Sequence, residues 1–519
     1  MALLLVDYIV PDRLTVTGAL QRRAPMPPMS LGLLKAMTPG RLDGHDLVVR
    51  CWDEVSMGRY EVIAQRPDIL CLSGLTTSAA RAYQIATQAR GVTGAAGRPI
   101  STAMGGIHAT ALPHEALAYV DAVALGETAP STLRSLLSWL IWRRGAAGPE
   151  QRAFEMGQTP ECATESRPLP DWSWAPRKGY IAPWSMQTSV GCPFDCSFCS
   201  VTFVYGSEHR SLPYEAIERE AVRFGRRGTG VVVDDNFLPN KLGKHAKRVC
   251  EIFRRHGVKW VTELTALTLY NNAKELVPLF ARSGCRGLYL GIESITAHLS
   301  KSMDTGHYKD LVRRCHDHGI GVLGAFVFGV HPEEMPDTFE RTVEWGIDVK
   351  LDLAQFSINT PEPGARDFED AVRNDLITDW NWDHYDGAHP VRRFPNISQE
   401  AMYCGLRNAF EWFYSARGAV RRLSPDFAEF ARWTYWRRSL FIGAVNVYLN
   451  GTQKRWNARS VYEAYLARRI EEPNRYVREQ FSSGMPTGQY DTRLRARVLR
   501  HLAPNPLHEV IAGVPVTAA

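Results

Sequence analysis

The sequence lacks the long apolar runs that membrane-spanning helices need. No uninterrupted stretch of about 18 apolar residues occurs in the 519-residue chain, whereas a helix needs about 20 to cross a bilayer. The amino terminus, Met-Ala-Leu-Leu-Leu-Val-Asp, is too short and too soon acidic for a signal peptide. We therefore expect no membrane span, no secretion and a cytoplasmic location.

The chain also has little excess charge and few cysteines for its length. Its formal net charge is +6, from 61 Lys and Arg against 55 Asp and Glu, which gives no basis for expecting a nucleic acid as partner. Ten cysteines in 519 residues are too sparse for a disulfide scaffold. Most are scattered in apolar contexts typical of buried free thiols in a reducing compartment, namely Cys51, Cys71, Cys162, Cys250, Cys285, Cys315 and Cys404.

Three cysteines are clustered, at Cys192, Cys196 and Cys199, on a predicted loop after an apolar segment. Three thiolates at C-x3-C-x2-C spacing can ligate three irons of a four-iron, four-sulfur cluster, which leaves the fourth iron open to a small molecule. The alternative is a zinc knuckle or three ordinary buried thiols. A zinc knuckle needs a fourth ligand, and the nearest histidine, His209, lies well beyond the loop. The spacing therefore favours an iron–sulfur cluster.

With Phe198 just before the third cysteine, the motif resembles that of the radical S-adenosylmethionine (SAM) superfamily. The resemblance implies that the three cysteines hold a [4Fe-4S] cluster whose open iron binds SAM. It implies that one electron from the cluster cleaves SAM to a 5′-deoxyadenosyl radical. It also implies an external electron donor of the flavodoxin or ferredoxin type.

Residues 1–145 are predicted to form a doubly wound α/β domain of flavodoxin or Rossmann type, because short apolar segments alternate with helical ones. Ligands bind beyond the carboxyl ends of the strands in such sheets, and glycines there let a bulky cofactor approach the backbone. The predicted strands are Leu3–Tyr8, Asp46–Trp52, Asp68–Leu75, Ile100–Met104 and Asp121–Leu125.

The turns after these strands resemble those of the cobalamin-binding domain that is fused ahead of many radical SAM enzymes. The Asp-x-His-x-x-Gly motif, which supplies a cobalt-ligating histidine in other cobalamin proteins, is absent. We therefore expect no imidazole of this domain on cobalt and interpret His108 as a structural or hydrogen-bonding residue. The resemblance implies cobalamin contacts from Ser73, Gly74, Thr76, Gly105, Gly106, His108, Gly126 and Glu127.

Residues 146–185 are predicted to be a linker, because Ala146–Arg167 is polar and lacks periodicity. Residues 186–375 then repeat a helix–glycine–strand unit. With Ser185–Ser189 as the first strand there are six units, which predicts a partial (β/α)6 barrel, the fold that the radical SAM resemblance also implies. Each helix is predicted to stop at a glycine in the left-handed conformation, at Gly228, Gly257, Gly284, Gly319 and Gly346.

Polar residues at the predicted strand ends are the candidate SAM contacts, because a carboxylate there can accept hydrogen bonds from an ammonium group. The Thr360–Gly364 segment resembles a turn of the family but continues with Ala365-Arg366, a departure that we interpret as the substrate end of the pocket. The resemblance implies SAM contacts from Phe198, Asp234, Asp235, Asn236, Glu293, Ser294 and Phe328.

Residues 376–519 are predicted to form a mainly α-helical domain, in which Gln399–Arg421 is one long amphipathic helix. Trp380–Gly387 and Asn408–Tyr414 resemble the tails of cobalamin-type radical SAM proteins related to anaerobic protoporphyrin-ester cyclases and hopanoid-modifying enzymes. Basic and aromatic residues flank the apolar run Leu440–Leu449, which is compatible with peripheral membrane contact. A buried helix with a solvated basic face is the favoured interpretation.

The whole chain therefore predicts a cobalamin-dependent radical SAM enzyme, and in particular a methyltransferase that acts on an unactivated carbon of a lipid or natural-product substrate. A cyclase or oxidative enzyme with the same cofactors is the alternative. A non-catalytic sensor is disfavoured because no helix-turn-helix or repeat is evident, and a methylthio-transferring enzyme because no second cysteine triad exists. The sequence selects no catalytic residue beyond the cofactor contacts and no particular substrate.

Overall fold

The computed structural model describes residues 2–12, 26–146, 151–155, 167–176, 178–225, 227–238, 243–296, 303–423 and 458–482. The strands of this part are β1 (Leu3–Val10), β2 (Arg41–Leu42), β3 (His45–Asp53), β4 (Ile69–Ser73), β5 (Ser101–Gly105), β6 (Ala122–Leu125), β7 (Arg152–Glu155), β8 (Ser185–Met186), β9 (Ser189–Val190), β10 (Arg210–Ser211), β11 (Thr229–Val232), β12 (Lys259–Thr265), β13 (Cys285–Glu293), β14 (Gly321–Phe328) and β15 (Leu353–Ile358).

The α-helices of the described residues surround two main sheets, which gives the α/β architecture predicted from the sequence. They are α1 (Met29–Met37), α2 (Glu54–Met57), α3 (Val62–Gln65), α4 (Ala79–Ala89), α5 (Ile107–Ala111), α6 (Pro113–Leu117), α7 (Pro130–Arg143), α8 (Val201–Tyr205), α9 (Tyr214–Phe224), α10 (Lys244–His256), α11 (Ala266–Tyr270), α12 (Ala273–Arg282), α13 (Thr305–Asp317), α14 (Thr338–Asp348), α15 (Arg366–Arg373), α16 (Gln399–Phe413), α17 (Ala416–Leu423), α18 (Ala458–Leu466) and α19 (Arg475–Ser482).

The amino-terminal sheet has seven strands in the order β2–β3–β1–β4–β5–β6–β7. β1 pairs in parallel with β3 and β4, and β4, β5 and β6 continue the parallel series. The five predicted strands are therefore present in the flavodoxin-type order. The two edge strands, antiparallel β2 and parallel β7, were not predicted. They are too short to carry a periodic pattern, and β7 lies inside the segment predicted as a linker.

Helices cover both faces of this sheet, as the continuous apolar runs of its parallel strands require. Leu4 and Val6 of β1 pack with α1 and α7 on one face, and Ile9 packs with α4 and α6 on the other. The second core also contains Trp382 and Val477 from the carboxy-terminal part of the chain. The carboxy-terminal part therefore completes the core of the amino-terminal sheet.

The central sheet has six strands in the order β8–β11–β12–β13–β14–β15, and every neighbouring pair is parallel. The glycines that precede its strands have positive φ, with 65° at Gly257, 94° at Gly284 and 71° at Gly319. These values agree with the predicted helix ends. The sheet presents its carboxyl ends to the cysteine loop, which follows β8 and β9.

The prediction that Gly346 ends a helix is wrong. This residue lies inside α14, which continues to Asp348, and Lys350 takes the left-handed conformation with φ of 61°. A Cβ atom at position 346 would lie 3.3 Å from the Phe413 ring. The glycine therefore allows close packing between α14 and α16 rather than a chain reversal.

The prediction of one continuous helix over Gln399–Arg421 is also wrong, because the chain breaks between α16 and α17. The Ser415 hydroxyl accepts a hydrogen bond from the backbone N–H of Gly418 at 3.0 Å and so caps the second helix. Arg422 returns to the end of α16 and donates to the Phe413 carbonyl at 2.9 Å.

Two predictions concern residues that the structure does not describe. The apolar run Leu440–Leu449 with its basic and aromatic flanks lies outside the described residues, as does most of the segment from 147 to 166. In the part of the chain that is described, no helix combines the length and the apolar character needed to cross a bilayer.

Candidate functional site

The cysteine loop is closed at its base by a short antiparallel ladder. β9 pairs with β10, and Val190 lies opposite Arg210 in this ladder. The cysteine loop and α8 therefore form one long connection outside the central sheet. Cys192 is 8% exposed, whereas Cys196 and Cys199 are half-buried, and none of the three forms a disulfide. The backbone N–H of Cys199 donates to the Cys196 carbonyl at 3.2 Å. Three reduced thiols on one tight loop fit the donor set of an iron–sulfur cluster.

Asp234, predicted as a SAM contact, anchors the start of this loop. Its Oδ1 accepts from the backbone N–H groups of Thr188 at 2.6 Å and Ser189 at 3.0 Å. Its Oδ2 accepts from both hydroxyls, at 2.8 Å from Ser189 Oγ. Burial raises the pKa of Asp234, and these hydrogen bonds act in the opposite direction. Because both oxygens are committed, the carboxylate positions the loop relative to β11.

Asp235 and Asn236 face the loop more directly. The Asp235 carboxylate accepts from the backbone N–H of Gly191 at 2.7 Å, immediately before Cys192. Burial raises the pKa of Asp235 to about 6. Asn236 Nδ2 donates to Thr265 Oγ1 at 3.0 Å and lies 3.9 Å from Cys192 Sγ. Both predicted SAM candidates therefore lie beside the cysteine loop, and hydrogen bonds to the sulfurs tune iron–sulfur clusters.

The strand ends further along the central sheet hold a carboxylate that the sequence did not reveal. Glu334 is 3% exposed and accepts from the backbone N–H of Gly329 at 2.6 Å. The hydroxyl of Ser294, a predicted SAM contact, lies 3.4 Å from Glu334 Oε1. Glu293, also predicted, has φ of 65°, a conformation that is uncommon outside glycine and is concentrated at functional sites. Glu334 follows β14 in an irregular segment, where no periodicity indicates burial.

The two aromatic candidates occupy different environments. Phe328 is 2% exposed and stacks on Phe356, with ring centroids 5.8 Å apart. It therefore belongs to the core of the central sheet. Phe198 is half-buried, directly before Cys199.

The turn after β15 returns to the cysteine loop. Arg366 Nη2 donates to the Asp195 carbonyl at 2.8 Å, and its Nη1 pairs with the Asp195 carboxylate. The backbone N–H of Asp367 donates to the Ser197 carbonyl at 2.9 Å. The sequence interpretation assigned Ala365-Arg366 to the substrate end of the pocket, whereas the structure gives Arg366 a direct contact with the loop that carries the cysteines.

The predicted cobalamin turns converge at the carboxyl end of the amino-terminal sheet. The backbone N–H of Gly74 donates to the Gly105 carbonyl at 3.2 Å. A Cβ atom at Gly106 would lie 2.6 Å from the Gly74 oxygen. The Thr110 hydroxyl accepts from the backbone N–H of Gly126 at 3.1 Å. The three turns therefore pack against one another and form one surface at this end of the sheet, and the half-buried Ser73 precedes it.

His108 lies beneath this surface in a buried polar cluster. Its contacts there agree with the prediction that it is a hydrogen-bonding residue. Its Nε2 lies 2.9 Å from the Tyr83 hydroxyl and 3.1 Å from Glu115 Oε2. Trp382 Nε1 donates to Glu115 Oε1 at 2.9 Å. The Thr76 hydroxyl and His108 Nδ1 are buried without a hydrogen-bond partner among the described residues. Such atoms call for a further partner, and a ligand with polar groups, as cobalamin has, would supply one to Thr76.

Glu127 joins the amino-terminal sheet to the cysteine loop. Its carboxylate accepts from Arg210 Nη2 at 2.7 Å, and its second oxygen lies 4.0 Å from Arg167 Nη1. Arg210 belongs to β10, at the base of the cysteine loop. Tyr205 interacts electrostatically with both guanidiniums, and Asp235 interacts with that of Arg167. We name Glu127, Arg167, Tyr205, Arg210 and Asp235 the junction cluster.

Comparisons with known proteins agree with this geometry. Residues 186–346 match the radical SAM superfamily. An uncharacterized methyltransferase of Pyrococcus horikoshii is 27% identical over 417 residues, which are 75% of this chain and 88% of that protein. The bacteriochlorophyllide d C-12(1)-methyltransferase of Chlorobaculum tepidum is 27% identical over 338 residues, 62% of this chain and 69% of that protein. An anaerobic magnesium-protoporphyrin IX monomethyl ester cyclase of Rubrivivax gelatinosus is 24% identical over 363 residues, 64% of this chain and 63% of that protein.

The solved structure of the cobalamin-dependent SAM radical enzyme OxsB, with aqua-cobalamin and SAM bound, matches this fold with a TM-score of 0.56 at 13% identity. The match covers 96% of this chain and 84% of OxsB. Residues 186–346 are therefore similar to a radical SAM domain, and the fold is similar to that of a cobalamin-dependent radical SAM enzyme. The predictions of family, enzyme class and cofactor set are confirmed at the level of these similarities.

Proposed function

We propose that this protein transfers a methyl group to an unactivated carbon of a lipid or natural-product substrate, with SAM, a [4Fe-4S] cluster and cobalamin as cofactors. The observation that carries the proposal is the meeting of the two candidate cofactor faces, where Glu127 of the amino-terminal sheet pairs with Arg210 at the base of the cysteine loop. A reaction that needs both cofactors requires such proximity. Relatives named as methyltransferases favour methyl transfer.

In this proposal, the residues of the chain bind the cofactors and hold the cysteine loop in position. When bound, the cluster with SAM supplies a radical that abstracts hydrogen, and cobalamin supplies the methyl group. Asp234 and Arg366 hold the cysteine loop from two sides. We assign Cys192, Cys196 and Cys199 to the cluster, Phe198, Asp235, Asn236, Glu293 and Ser294 to the SAM side, and Ser73, Gly74, Thr76, Gly105, Gly106, His108, Gly126 and Glu127 to the cobalamin side.

Each part of the chain has its own role in this proposal. Residues 1–145 carry cobalamin, residues 146–185 are a linker, residues 186–375 form a (β/α)6 partial barrel for SAM, and residues 376–519 form a mainly α-helical domain. The six parallel strands of the central sheet support the barrel assignment. An external donor of the flavodoxin or ferredoxin type reduces the cluster. None of the nine described cysteines forms a disulfide, which supports a reducing cytosol as the place of action. For residues 440–449, which lie outside the described residues, a buried helix is favoured over peripheral membrane contact.

The test is anaerobic reconstitution with iron, sulfide and hydroxocobalamin, followed by reduction and addition of SAM that carries a deuterated methyl group. We expect bound cobalamin in the visible spectrum, together with 5′-deoxyadenosine and S-adenosylhomocysteine by mass spectrometry. Cys196→Ala should abolish 5′-deoxyadenosine, whereas the control Cys404→Ala, a half-buried thiol outside the loop, should not. Failure of the wild type to form 5′-deoxyadenosine with an intact cluster would contradict the proposal.

A cyclase or oxidative enzyme with the same cofactors is the second candidate, and the similarity to a protoporphyrin ester cyclase favours it as the alternative. This candidate predicts 5′-deoxyadenosine without S-adenosylhomocysteine. Its product loses hydrogen, whereas a methyltransferase product gains the deuterated methyl group.

A further inference from the structure

One guanidinium of the junction cluster lacks a close counter-ion. Arg167 Nη1 is buried and has no hydrogen-bond partner in the described part of the chain. The nearest carboxylate oxygen, Glu127 Oε1, is 4.0 Å away, which is beyond hydrogen-bond distance. The side chain is nevertheless 17% exposed. A buried donor without an acceptor costs about 1–3 kcal/mol, so this arrangement suits a site that a ligand completes.

The carboxylates around Arg167 are occupied by other donors. Glu127 forms its close ion pair with Arg210, at 2.7 Å. Asp235 accepts from the backbone N–H of Gly191, and burial raises its pKa to about 6. Burial lowers the pKa of the Arg167 guanidinium while the Glu127 carboxylate acts against this, and an arginine stays protonated in proteins. The cation of Arg167 is therefore available to an incoming anion.

The Tyr205 hydroxyl is a second donor of the junction cluster, where it interacts electrostatically with Arg167. Tyr205 ends α8, directly after the cysteine loop, and its carbonyl accepts from Arg210 Nη2 at 3.3 Å. Burial raises the pKa of its hydroxyl to about 12, and the Asp235 carboxylate acts in the same direction. The phenol therefore keeps its proton and can donate a hydrogen bond.

We propose that Arg167, assisted by the Tyr205 hydroxyl, binds an oxyanion of the substrate, a carboxylate or a phosphate, at the junction of the two cofactor faces. A guanidinium recognises such groups through paired N–H···O bonds. This inference rests on the proposed function, and it narrows the substrate class from lipids and natural products in general to those that carry an acidic group.

SAM and cobalamin also carry oxyanions, a carboxylate and a phosphate, so the experiment must separate these sources. Methylglyoxal modifies accessible arginines, and peptide mass spectrometry measures the rate at each residue. We would label the anaerobic protein with its cluster alone, then with cobalamin, then with SAM, and then with both, each with and without inorganic phosphate or acetate. Arg219, an exposed residue of α9, is the internal control.

We expect Arg167 to remain reactive with both cofactors bound and to be protected by phosphate or acetate. A ligand present at about four times its Kd slows modification about fivefold, since the free fraction falls as 1/(1 + [L]/Kd). Arg219 should react equally throughout. Full protection by SAM alone or by cobalamin alone would assign the oxyanion to that cofactor and overturn the inference, as would the absence of protection by either anion.

A binding measurement supports the labelling. Isothermal titration of the doubly loaded protein with inorganic phosphate should give a binding signal that Arg167→Met removes and Arg219→Met retains. Equal binding to both variants would overturn the inference. Formation of 5′-deoxyadenosine by the same wild-type preparation reports on the proposed function, so a failure of the oxyanion site and a failure of the radical SAM assignment give different results.

Discussion

Replacement of Gly106 by alanine should damage the amino-terminal sheet and its cofactor surface together. Gly106 has φ of 99° and ψ of −177°, a region that is essentially restricted to glycine and costs other residues about 1–3 kcal/mol. The added Cβ would lie 2.6 Å from the Gly74 carbonyl oxygen, and relief of such an overlap costs a further ~1–3 kcal/mol. The expected loss is therefore about 2–6 kcal/mol.

Gly91→Ala is the matched control for this substitution. Gly91 has φ of 80°, but a Cβ there would meet nothing within 4 Å, so only the backbone cost of about 1–2 kcal/mol applies. Urea unfolding of both variants gives the difference, and the visible spectrum of reconstituted protein gives the cobalamin content. If Gly106→Ala unfolded within about 0.5 kcal/mol of Gly91→Ala, the close approach of the two turns would not matter. If it bound cobalamin at wild-type level, these turns would not be the cobalamin surface.

Three further substitutions test how the cysteine loop is held. Asp234→Ala removes all four acceptor contacts and leaves two backbone N–H groups unpaired, so the free energy of unfolding measured in urea should fall by ~2–6 kcal/mol and the iron content should fall with it. Asp234→Asn keeps one acceptor oxygen, and its loss of unfolding free energy should be less than half as large. Burial raises the pKa of Asp235 to about 6, so the wild type should lose stability relative to Asp235→Asn as pH rises from about 4 to about 6. A melting-temperature difference between the two proteins that stays flat over this range would refute the raised pKa of Asp235. Arg366→Ala should shorten the lifetime of the cluster in air, followed by its visible absorbance, while Arg373→Ala, which removes an ion pair on the same helix, should leave that lifetime unchanged.

Patterns that are local in sequence predicted the elements well. The five predicted strands of the amino-terminal sheet and most of those of the central sheet are apolar runs bounded by glycine or polar residues, and the structure contains them with small shifts at their ends. The exception is Ser185–Ser189, of which only Ser185–Met186 joins the central sheet, because Ser189 pairs with Ser211 in the ladder below the cysteine loop. The cysteine spacing likewise identified the loop. Gly346 was misassigned because glycine has two uses, and sequence does not distinguish a helix end from a site of close helix packing such as the one against Phe413.

The roles of individual site residues depend on contacts that are distant in sequence. Asp234 reaches Thr188 across 46 positions, and Arg366 reaches Asp195 across 171. Hydrophobic periodicity reports which face of an element is buried but carries no information on which polar groups meet there. Only the folded chain therefore shows that these two residues anchor the loop. Only the folded chain likewise shows that Arg167 Nη1 has no hydrogen-bond acceptor among the described residues.

The hydrogen bond between Asn474 and Glu115 joins positions 359 residues apart, and this separation sets a time in protein synthesis. Gln480 also donates to the Ala111 carbonyl at 2.8 Å, and Trp382 completes the cluster around His108. Ribosomes add about 5–20 residues per second, so ~20–70 s pass between the emergence of Glu115 and that of its last partner. During this interval Glu115 lacks the hydrogen bond from Asn474, and the Ala111 carbonyl lacks the one from Gln480. A shortened gene that stops before residue 474 would make this state permanent.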